Sequence, residues 1–362
     1  MPRRPAGGRV GGRAAKRPCP RPRRFLYLVT EDWTEGYSIR KVDLAEGHAD
    51  DQQAPRRLPP IVLRLEAPHN GPRHFAAAFG TKILAMHQTP RRYIPVFDVR
   101  TRSLNFGPPV QRLPAAPICV PLGDNLYRLD FCRFEMLCPP PPPSDEELCW
   151  SDDLPEWSWR RLPIPPFRHQ YVTSHAVHPD GRTIFVSVKV EGCNTGNTFT
   201  FDTGADDPMW TCHHEWQLPF KGPAHFDQKL DAWVGLTDDP ATIGHLCSCQ
   251  APSTDDDGCW QPPAWKLSRE KLFHQDYPGE THTGAALVCL GMGYKSRFCL
   301  VECLSRVGSR LHLLRLTTFS LKYHKNGDLG ARRRRRRVQS FKLTKPLIKN
   351  SGFLENPVAF WL

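Results

Sequence analysis

The chain has 362 residues, 40% of them hydrophobic and 24% charged, with 37 prolines and 26 glycines. This composition favours many short strands over long helices, and no stretch approaches the ~18 apolar residues of a membrane-spanning helix. The formal charge of +12 is uneven, because nine Lys or Arg lie in residues 1–24 and six Arg lie in residues 332–337. Subtracting these fifteen charges leaves −3 for the rest, which does not favour nucleic-acid binding by the body of the protein.

The first 24 residues are rich in Arg, Pro and Gly and contain almost nothing to bury, which predicts a disordered basic tail. An organelle-targeting peptide is the alternative, although the lack of serine and the glycines and prolines oppose an amphipathic helix. From residue 25 to residue 362 we expect a single domain.

Strand signals begin with a five-residue apolar run at 25–29, which is shorter than the roughly 7 to 15 residues of a secretory signal core. The clearest hairpin joins residues 172–177 to 183–188 through Pro179-Asp180-Gly181, because proline presets the first turn position and glycine tolerates the left-handed one. Further strands are predicted at residues 37–42, 75–79, 82–86, 286–290, 298–303 and 338–343. The apolar end, residues 357–362, is expected to return as a closing strand.

A longer recurrence runs through these strands. At five places an aromatic residue or an Arg precedes a leucine by one or two positions, and Pro often follows the leucine. The leucines are Leu58, Leu113, Leu162, Leu218 and Leu267, and they are separated by 55, 49, 56 and 49 residues. A step of roughly 50 residues is typical of propeller blades. The sequence therefore predicts an all-β fold, a β-propeller of about six four-stranded blades, with five or seven blades as alternatives.

Two segments interrupt the recurrence. The step from Leu267 to Leu343 is 76 residues, which predicts an insertion near residues 325–337, and a proline run followed by acidic residues predicts another near residues 139–149. Within the blades, aromatic residues are expected to pack between neighbouring sheets rather than to stack on a ligand. The predicted packing residues are Trp159, Trp216, Trp233 and Trp265.

Motifs for chemistry are weak. Cys247 and Cys249 have strand spacing rather than the paired spacing of a zinc site, so buried thiols are the better interpretation. The turn at residues 253–260 has one residue too many for the sialidase-type aspartate motif, and no Gly-x-Ser-x-Gly or phosphate-binding loop occurs. We therefore expect no catalytic residue, no metal site and no cofactor. Thirteen cysteines without framework spacing indicate reduced thiols in a cytoplasmic or nuclear protein.

The arginine run has three interpretations: a solvated loop, a nuclear-localisation signal, or an anion-binding contact with nucleic acid or an acidic protein. It consists of Arg332, Arg333, Arg334, Arg335, Arg336 and Arg337.

One segment is more specific than this general pattern. Residues 199–203 and 216–236, which include Trp216-Gln217-Leu218-Pro219-Phe220, resemble an uncharacterised plant family abundant in grasses, a domain of unknown function. That family is similar to kelch-type and F-box-associated propellers. The resemblance implies a propeller and no catalytic residues, and the double glycine of kelch repeats is missing from the body.

We therefore expect a non-enzymatic β-propeller that binds another protein, is monomeric and has no membrane segment. The alternative is a propeller hydrolase or lyase with its site at the mouth of the channel. A weaker alternative is nucleic-acid association through the basic tail and the arginine run.

Overall fold

The computed structural model shows a chain in which β-strands are the main regular structure. The described residues are 24–33, 36–46, 54–67, 72–87, 93–109, 117–131, 133–139, 157–189, 196–213, 216–237, 239–253, 260–273, 276–277, 279–291, 296–306, 312–332, 336–343 and 356–362. These ranges contain three 3-10 helices, at Leu44–Glu46, His169–Tyr171 and Pro240–Thr242, and no α-helix. Residues 1–23 of the predicted tail and residues 140–149 of the first predicted insertion lie outside them.

The described strands group into six sheets, named here in chain order. Sheet 1 contains β1 (Leu26–Trp33), β2 (Gly36–Val42) and β4 (Ile61–Glu66), with the short β3 (Arg56–Arg57) preceding β4. Sheet 2 contains β5 (Pro72–Ala78), β6 (Lys82–His87), β7 (Ile94–Asp98) and β8 (Leu104–Gly107). Sheet 3 contains β9 (Ile118–Leu122), β10 (Asn125–Leu129), β11 (Phe134–Cys138) and β12 (Ser158–Leu162).

Sheet 4 contains β13 (Val172–Val177), β14 (Thr183–Lys189), β15 (Gly196–Asp202) and β16 (Trp210–His213). Sheet 5 contains β17 (Lys221–Asp227), β18 (Ala232–Leu236), β19 (Leu246–Gln250) and β20 (Trp265–Leu267). Sheet 6 contains β21 (Asp276–Tyr277), β22 (Glu280–Cys289), β23 (Phe298–Arg306), β24 (His312–Phe319) and β27 (Arg337–Leu343), and the hairpin β25 (Leu321–Tyr323) and β26 (Leu329–Ala331) precedes β27. Strand β28 (Val358–Trp361) returns to sheet 1, and a parallel pairing of β13 with β17 joins sheets 4 and 5.

Two local predictions are confirmed. The β13–β14 hairpin has the expected register, with Val177 opposite Ile184, and Gly181 in its turn adopts a φ of 73°. The chain end pairs antiparallel with β1, with Trp361 opposite Leu26, so the last strand closes the first sheet.

The sheets pack in a closed ring. Side chains of a strand alternate between two faces, so Leu26 and Leu28 of β1 pack against sheet 6 while Tyr27 and Val29 pack against sheet 2. Six apolar clusters follow this rule, one between each pair of successive sheets and one between sheet 6 and sheet 1. Sheets that pack face to face in a closed ring form a β-propeller, as the sequence predicted.

The second predicted insertion, residues 325–337, includes the turn and second strand of the β25–β26 hairpin. This hairpin lies against sheet 5, where Lys266 Nζ donates to the carbonyl of Gly327 at 2.9 Å and the Tyr323 hydroxyl is 3.1 Å from Ser248 Oγ. It therefore links sheets 5 and 6 through these hydrogen bonds, and its Leu321 and Leu329 also belong to the apolar cluster between the two sheets.

Candidate functional site

A tight turn joins β10 to β11 at the end of sheet 3 where β9, its innermost strand, begins. We call the end of a sheet at which its innermost strand begins the leading edge. The amide of Asp130 donates to the carbonyl of Arg133 at 3.0 Å and closes the turn. Phe131 in this turn is 44% exposed, and its ring meets the buried His169 ring edge-on with centroids 5.9 Å apart. The turn therefore presents one aromatic side chain to solvent from a fixed position.

Beneath the turn lies a buried ionic group. Arg128 in β10 is fully buried and forms an ion pair with Glu135, its direct cross-strand neighbour in β11. Arg128 Nη2 is also 3.4 Å from Asp130 Oδ2, and Arg133 Nη1 is 3.8 Å from Glu135 Oε1. Two cations and two carboxylates balance each other, which satisfies the requirement that buried charges be paired.

Apolar surroundings make this pairing necessary. The Arg128 guanidinium lies 4.8 Å from the centre of the Trp159 ring, beside the cluster between sheets 2 and 3. Arg128 Nε and Nη1 have no hydrogen-bond partner within the described ranges. Removing either carboxylate would leave a buried cation with still fewer partners, so the loss of Asp130 or Glu135 should be destabilising.

The connection from β12 to β13 forms the second part of the site. Trp210 Nε1 donates to the carbonyl of Pro163 at 3.1 Å, and the Phe167 ring packs on Trp210 with centroids 5.2 Å apart. Between these anchors Ile164 is 71% exposed. Ile164 is therefore an exposed apolar side chain on a connection that is held at both ends.

Three arginines lie on the same elements as the two exposed apolar side chains. Arg161 lies opposite Glu135 in the β11–β12 pairing, and Arg168 is exposed next to His169. The side chain of Arg133 is 32% exposed. We name the patch formed by Phe131, Arg133, Arg161, Ile164 and Arg168 the sheet 3 surface.

Protonation at this site gives no activated nucleophile. Burial raises the pKa of the Cys119 thiol, opposite Arg128, to about 12, and this outweighs the opposing effect of the guanidinium. Burial lowers the pKa of His169, while the carboxylate of Asp130 acts in the opposite direction. A protonated thiol does not attack an electrophile, so Cys119 is not suited to covalent catalysis.

A second buried ionic group lies near the leading edge of sheet 6. Arg315 Nη2 donates to Glu280 at 2.8 Å, and Glu302, the cross-strand neighbour of Arg315, is 2% exposed. His282 Nε2 is 4.0 Å from Glu302, and its ring stacks on Phe273 with centroids 4.3 Å apart. Burial, and secondarily the charge of Arg315, lower the pKa of His282 to about 4, so this histidine is neutral at physiological pH.

Two histidines lie on the innermost strands that pair in parallel, β13 and β17. Nε2 of His225 lies 2.9 Å from the carbonyl oxygen of Leu287 in sheet 6. Burial lowers the pKa of both rings, and together with the charge of His225 it brings the pKa of His175 to about 4. Both are neutral near pH 7, and His225 links sheets 5 and 6.

The arginine run lies between β26 and β27. The amide of Arg332 donates to the carbonyl of Ser320 at 2.8 Å, and Arg337 Nη1 donates to the carbonyl of Ala45 at 2.5 Å. Arg336 is half-buried, and residues 333–335 lie outside the described ranges. Arg332 is likewise half-buried, whereas Arg337 is exposed, so the two described ends of the run differ in solvent exposure.

The four predicted packing tryptophans differ in position. Trp233 is fully buried between sheets 4 and 5, and Trp159 and Trp216 are half-buried against apolar clusters. Trp265 is 54% exposed, which does not fit the predicted packing role. It lies on β20, the outermost strand of its sheet, where the space between sheets is widest.

Cys247 and Cys249 are both fully buried, as the strand spacing indicates, and burial raises the pKa of Cys247 to about 12. In the described ranges no group of three or more His, Cys, Asp or Glu is placed to hold a metal ion. Sequence reasoning missed Arg128 and Glu302. Each stands inside an otherwise apolar strand, and a charge at such a position is the signal that could have identified them.

The strand topology and the sheet 3 surface define a β-propeller with an exposed apolar and basic patch. This chain belongs to the family described as a protein of unknown function (DUF1668), which matches residues 23–339. A segment of zonadhesin from Mus musculus is 26% identical over 169 residues, which is 43% of this chain and 3% of zonadhesin. No helix in the described ranges is long and apolar enough to cross a membrane.

Solved structures with similar strand arrangements have low sequence identity. A protein from Lactobacillus plantarum has a TM-score of 0.46 and 10% identity, with 94% of this chain and 99% of that chain covered. A candidate 6-phosphogluconolactonase from Bacteroides uniformis has a TM-score of 0.45 and 12% identity, with 85% and 81% covered. TolB from Acinetobacter baumannii has a TM-score of 0.32 and 12% identity, with 88% and 66% covered.

Proposed function

We propose that this propeller is a non-enzymatic module that binds another protein through the sheet 3 surface. The main supporting observation is that Phe131 and Ile164 are 44% and 71% exposed above a buried, ion-paired base. Rigid apolar side chains among arginines are typical of binding surfaces, where aromatic residues and arginine carry much of the binding energy. The contact surface of the partner should combine apolar side chains with carboxylates.

The test compares matched exposed positions. Three proteins are immobilised and used to capture proteins from native extract. They are the wild type, a double variant that carries Phe131→Ser and Ile164→Ser, and a control variant, Trp265→Ser, whose wild-type side chain is 54% exposed. The captured partner is then purified and its affinity for each variant is measured by calorimetry. We expect at least about a tenfold loss for the sheet 3 double variant alone, since one such factor is about 1.4 kcal/mol. Equal affinity for all three proteins would refute the assignment of this surface.

The hydrolase or lyase alternative requires convergent acids and bases that a substrate can reach. Arg128, Asp130, Glu135 and His169 do converge, but each is buried and the three ions are engaged with one another. This favours a structural role. Turnover of chromogenic ester, lactone or glycoside substrates that is abolished by His169→Gln, with the fold intact, would establish the enzyme alternative instead.

Nucleic-acid association remains the weaker alternative, and it predicts binding that weakens steeply with added salt. We further propose a monomer in the cytoplasm or nucleus. The thiols of Cys247, Cys249 and Cys299, which form no disulfide among the described residues, support a reducing compartment. We also propose that the protein is similar to kelch-type and F-box-associated propellers and that it comes from a plant.

A further inference from the structure

Two sheets of this propeller already have their outer edges covered by an added segment. Arg56 and Arg57 of β3, which lead into sheet 1, pair in parallel with β27 of sheet 6. In sheet 5, Ser268 after β20 forms a parallel bridge to Leu329 of the β25–β26 hairpin, and the amide of Arg269 donates to Leu329 at 2.8 Å. The outer edge of a sheet in this fold therefore accepts an extended segment from elsewhere.

Four outermost strands have no such cover among the described residues, namely β4, β8, β12 and β16. Natural edge strands are usually protected by charged side chains. Exposed charges occur on β4 at Arg64 and Glu66 and on β12 at Arg160 and Arg161, and the one exposed side chain of β16 is Thr211. Strand β8 differs, because it carries no charge and exposes apolar side chains.

The apolar side chains of β8 continue onto its neighbour β7. Leu104 is 43% exposed and Phe106 is 61% exposed, and they lie on one face because they are two residues apart. Phe106 stands opposite Pro95, and Tyr93, two residues before Pro95 and 61% exposed, extends the same face. These side chains form an apolar row along an open edge.

The backbone register leaves hydrogen-bonding groups on that edge. The amide of Asp98 donates to the carbonyl of Ser103 at 3.0 Å, which makes this the last hydrogen-bonded pair before the turn. Because hydrogen-bonded and non-hydrogen-bonded pairs alternate in an antiparallel ladder, the backbone groups of Leu104 and Phe106 point away from β7. They are available to an additional strand.

The adjoining turn gives this edge its charge. Asp98 is engaged by Thr81 Oγ1 at 3.0 Å, by Lys82 Nζ at 3.2 Å and by the amide of Arg100 at 2.9 Å. Arg100 and Arg102 are exposed beside it. Arg102 has a φ of 59°, a conformation that favours glycine, so an arginine is kept here at a conformational cost.

We propose that β8 is a docking edge that takes one extended segment of a partner protein as a fifth strand of sheet 2. The segment would alternate apolar residues, which contact Leu104, Phe106 and Tyr93, with acidic residues near Arg100 and Arg102. Backbone hydrogen bonds supply affinity in this mode of recognition, and alternate side chains supply specificity.

The test uses full-length protein and a library of short synthetic peptides in which apolar residues alternate with Asp or Glu, read by fluorescence anisotropy. We expect saturable binding that is lost when alternate backbone nitrogens of the best peptide are methylated and when Lys replaces its acids. Leu104→Thr with Phe106→Thr should weaken binding at least about tenfold. Arg102→Gly should weaken binding while leaving thermal stability unchanged or higher, which separates recognition from folding.

Three results would overturn the proposal. The first is that no library member binds, and the second is that the best peptide binds equally well after backbone methylation. The third is a concentration-dependent dimer, seen by analytical ultracentrifugation and abolished by the threonine variant, because the edge would then pair with a second copy of this chain. The expected losses support the proposal only if a Trp265→Thr control binds the best peptide as tightly as the wild type does.

Discussion

Replacement of Trp233 tests the packing between sheets most directly. This side chain lies on β18 of sheet 5 and is fully buried, and its Nε1 donates across to the carbonyl of Val177 in sheet 4 at 2.8 Å. The Phe185 ring meets it edge-on with centroids 5.2 Å apart. One residue thus joins two sheets by packing and by a hydrogen bond.

The expected magnitude follows from these contacts. Trp233→Ala should lose about 3 to 5 kcal/mol from the cavity, and the unpaired carbonyl of Val177 should add about 1 to 3 kcal/mol. That sum is a large fraction of the about 5 to 15 kcal/mol of a typical domain, so the alanine variant should unfold at a much lower urea concentration. Trp233→Phe keeps most of the ring packing and should cost about 1 to 3 kcal/mol, mainly through the lost hydrogen bond.

Urea unfolding followed by circular dichroism would measure both free energies without relying on tryptophan fluorescence. The matched control is Trp265→Phe, at a side chain that is 54% exposed, and its cost should stay within about 0.5 kcal/mol. If Trp233→Phe cost no more than the control, or if Trp265→Phe were the more damaging change, the assignment of Trp233 to the contact between sheets 4 and 5 would be wrong.

Two further predictions concern the buried ionisable groups. The pKa of His282 is about 4 in the folded chain against 6.5 for an ordinary histidine, so the unfolded chain takes up the proton first and stability should fall as the pH drops from about 6.5 to about 4. The thermal unfolding midpoints of the wild type and of His282→Gln, measured across this pH range, should converge at low pH. A difference between the two midpoints that stays the same at every pH would contradict the lowered pKa of His282. Arg128→Met should cost about 3 to 5 kcal/mol because Asp130 and Glu135 lose the cation that they share, and adding Glu135→Leu should restore part of it. A double variant less stable than the single one in urea unfolding would show that the ion pair is not the relevant contact.

Much of the architecture is local and could be predicted from the sequence. The β13–β14 hairpin follows from β-branched residues on either side of a Pro-Asp-Gly turn, and the apolar chain end pairs with β1 as expected. The recurrence of about 50 residues predicted a β-propeller because each sheet repeats one pattern of strands and turns. The hairpin and the repeated units depend on neighbours in sequence, whereas the closing strand joins the two ends of the described chain and was expected only from the apolar residues at 357–362.

The candidate site depends on strand register and on contacts between residues that are distant in sequence. The sequence shows Arg128 and Glu135 as separate charges, and only the register of β10 against β11 makes them direct neighbours. The exposure of Ile164 likewise depends on a hydrogen bond from Trp210 to Pro163, 47 residues apart. Because burial is a property of the assembled ring, the exposed side chains of the sheet 3 surface could not be chosen beforehand.

The tryptophans show this division most clearly. The sequence by itself predicted the same packing role for Trp233 and Trp265. Their depth in the ring decided the difference, because sheets arranged radially are close together near the axis and diverge toward the rim. Trp233, on the second strand, fills the narrow space between sheets 4 and 5, whereas Trp265, on the outermost strand, lies where no neighbouring sheet covers it.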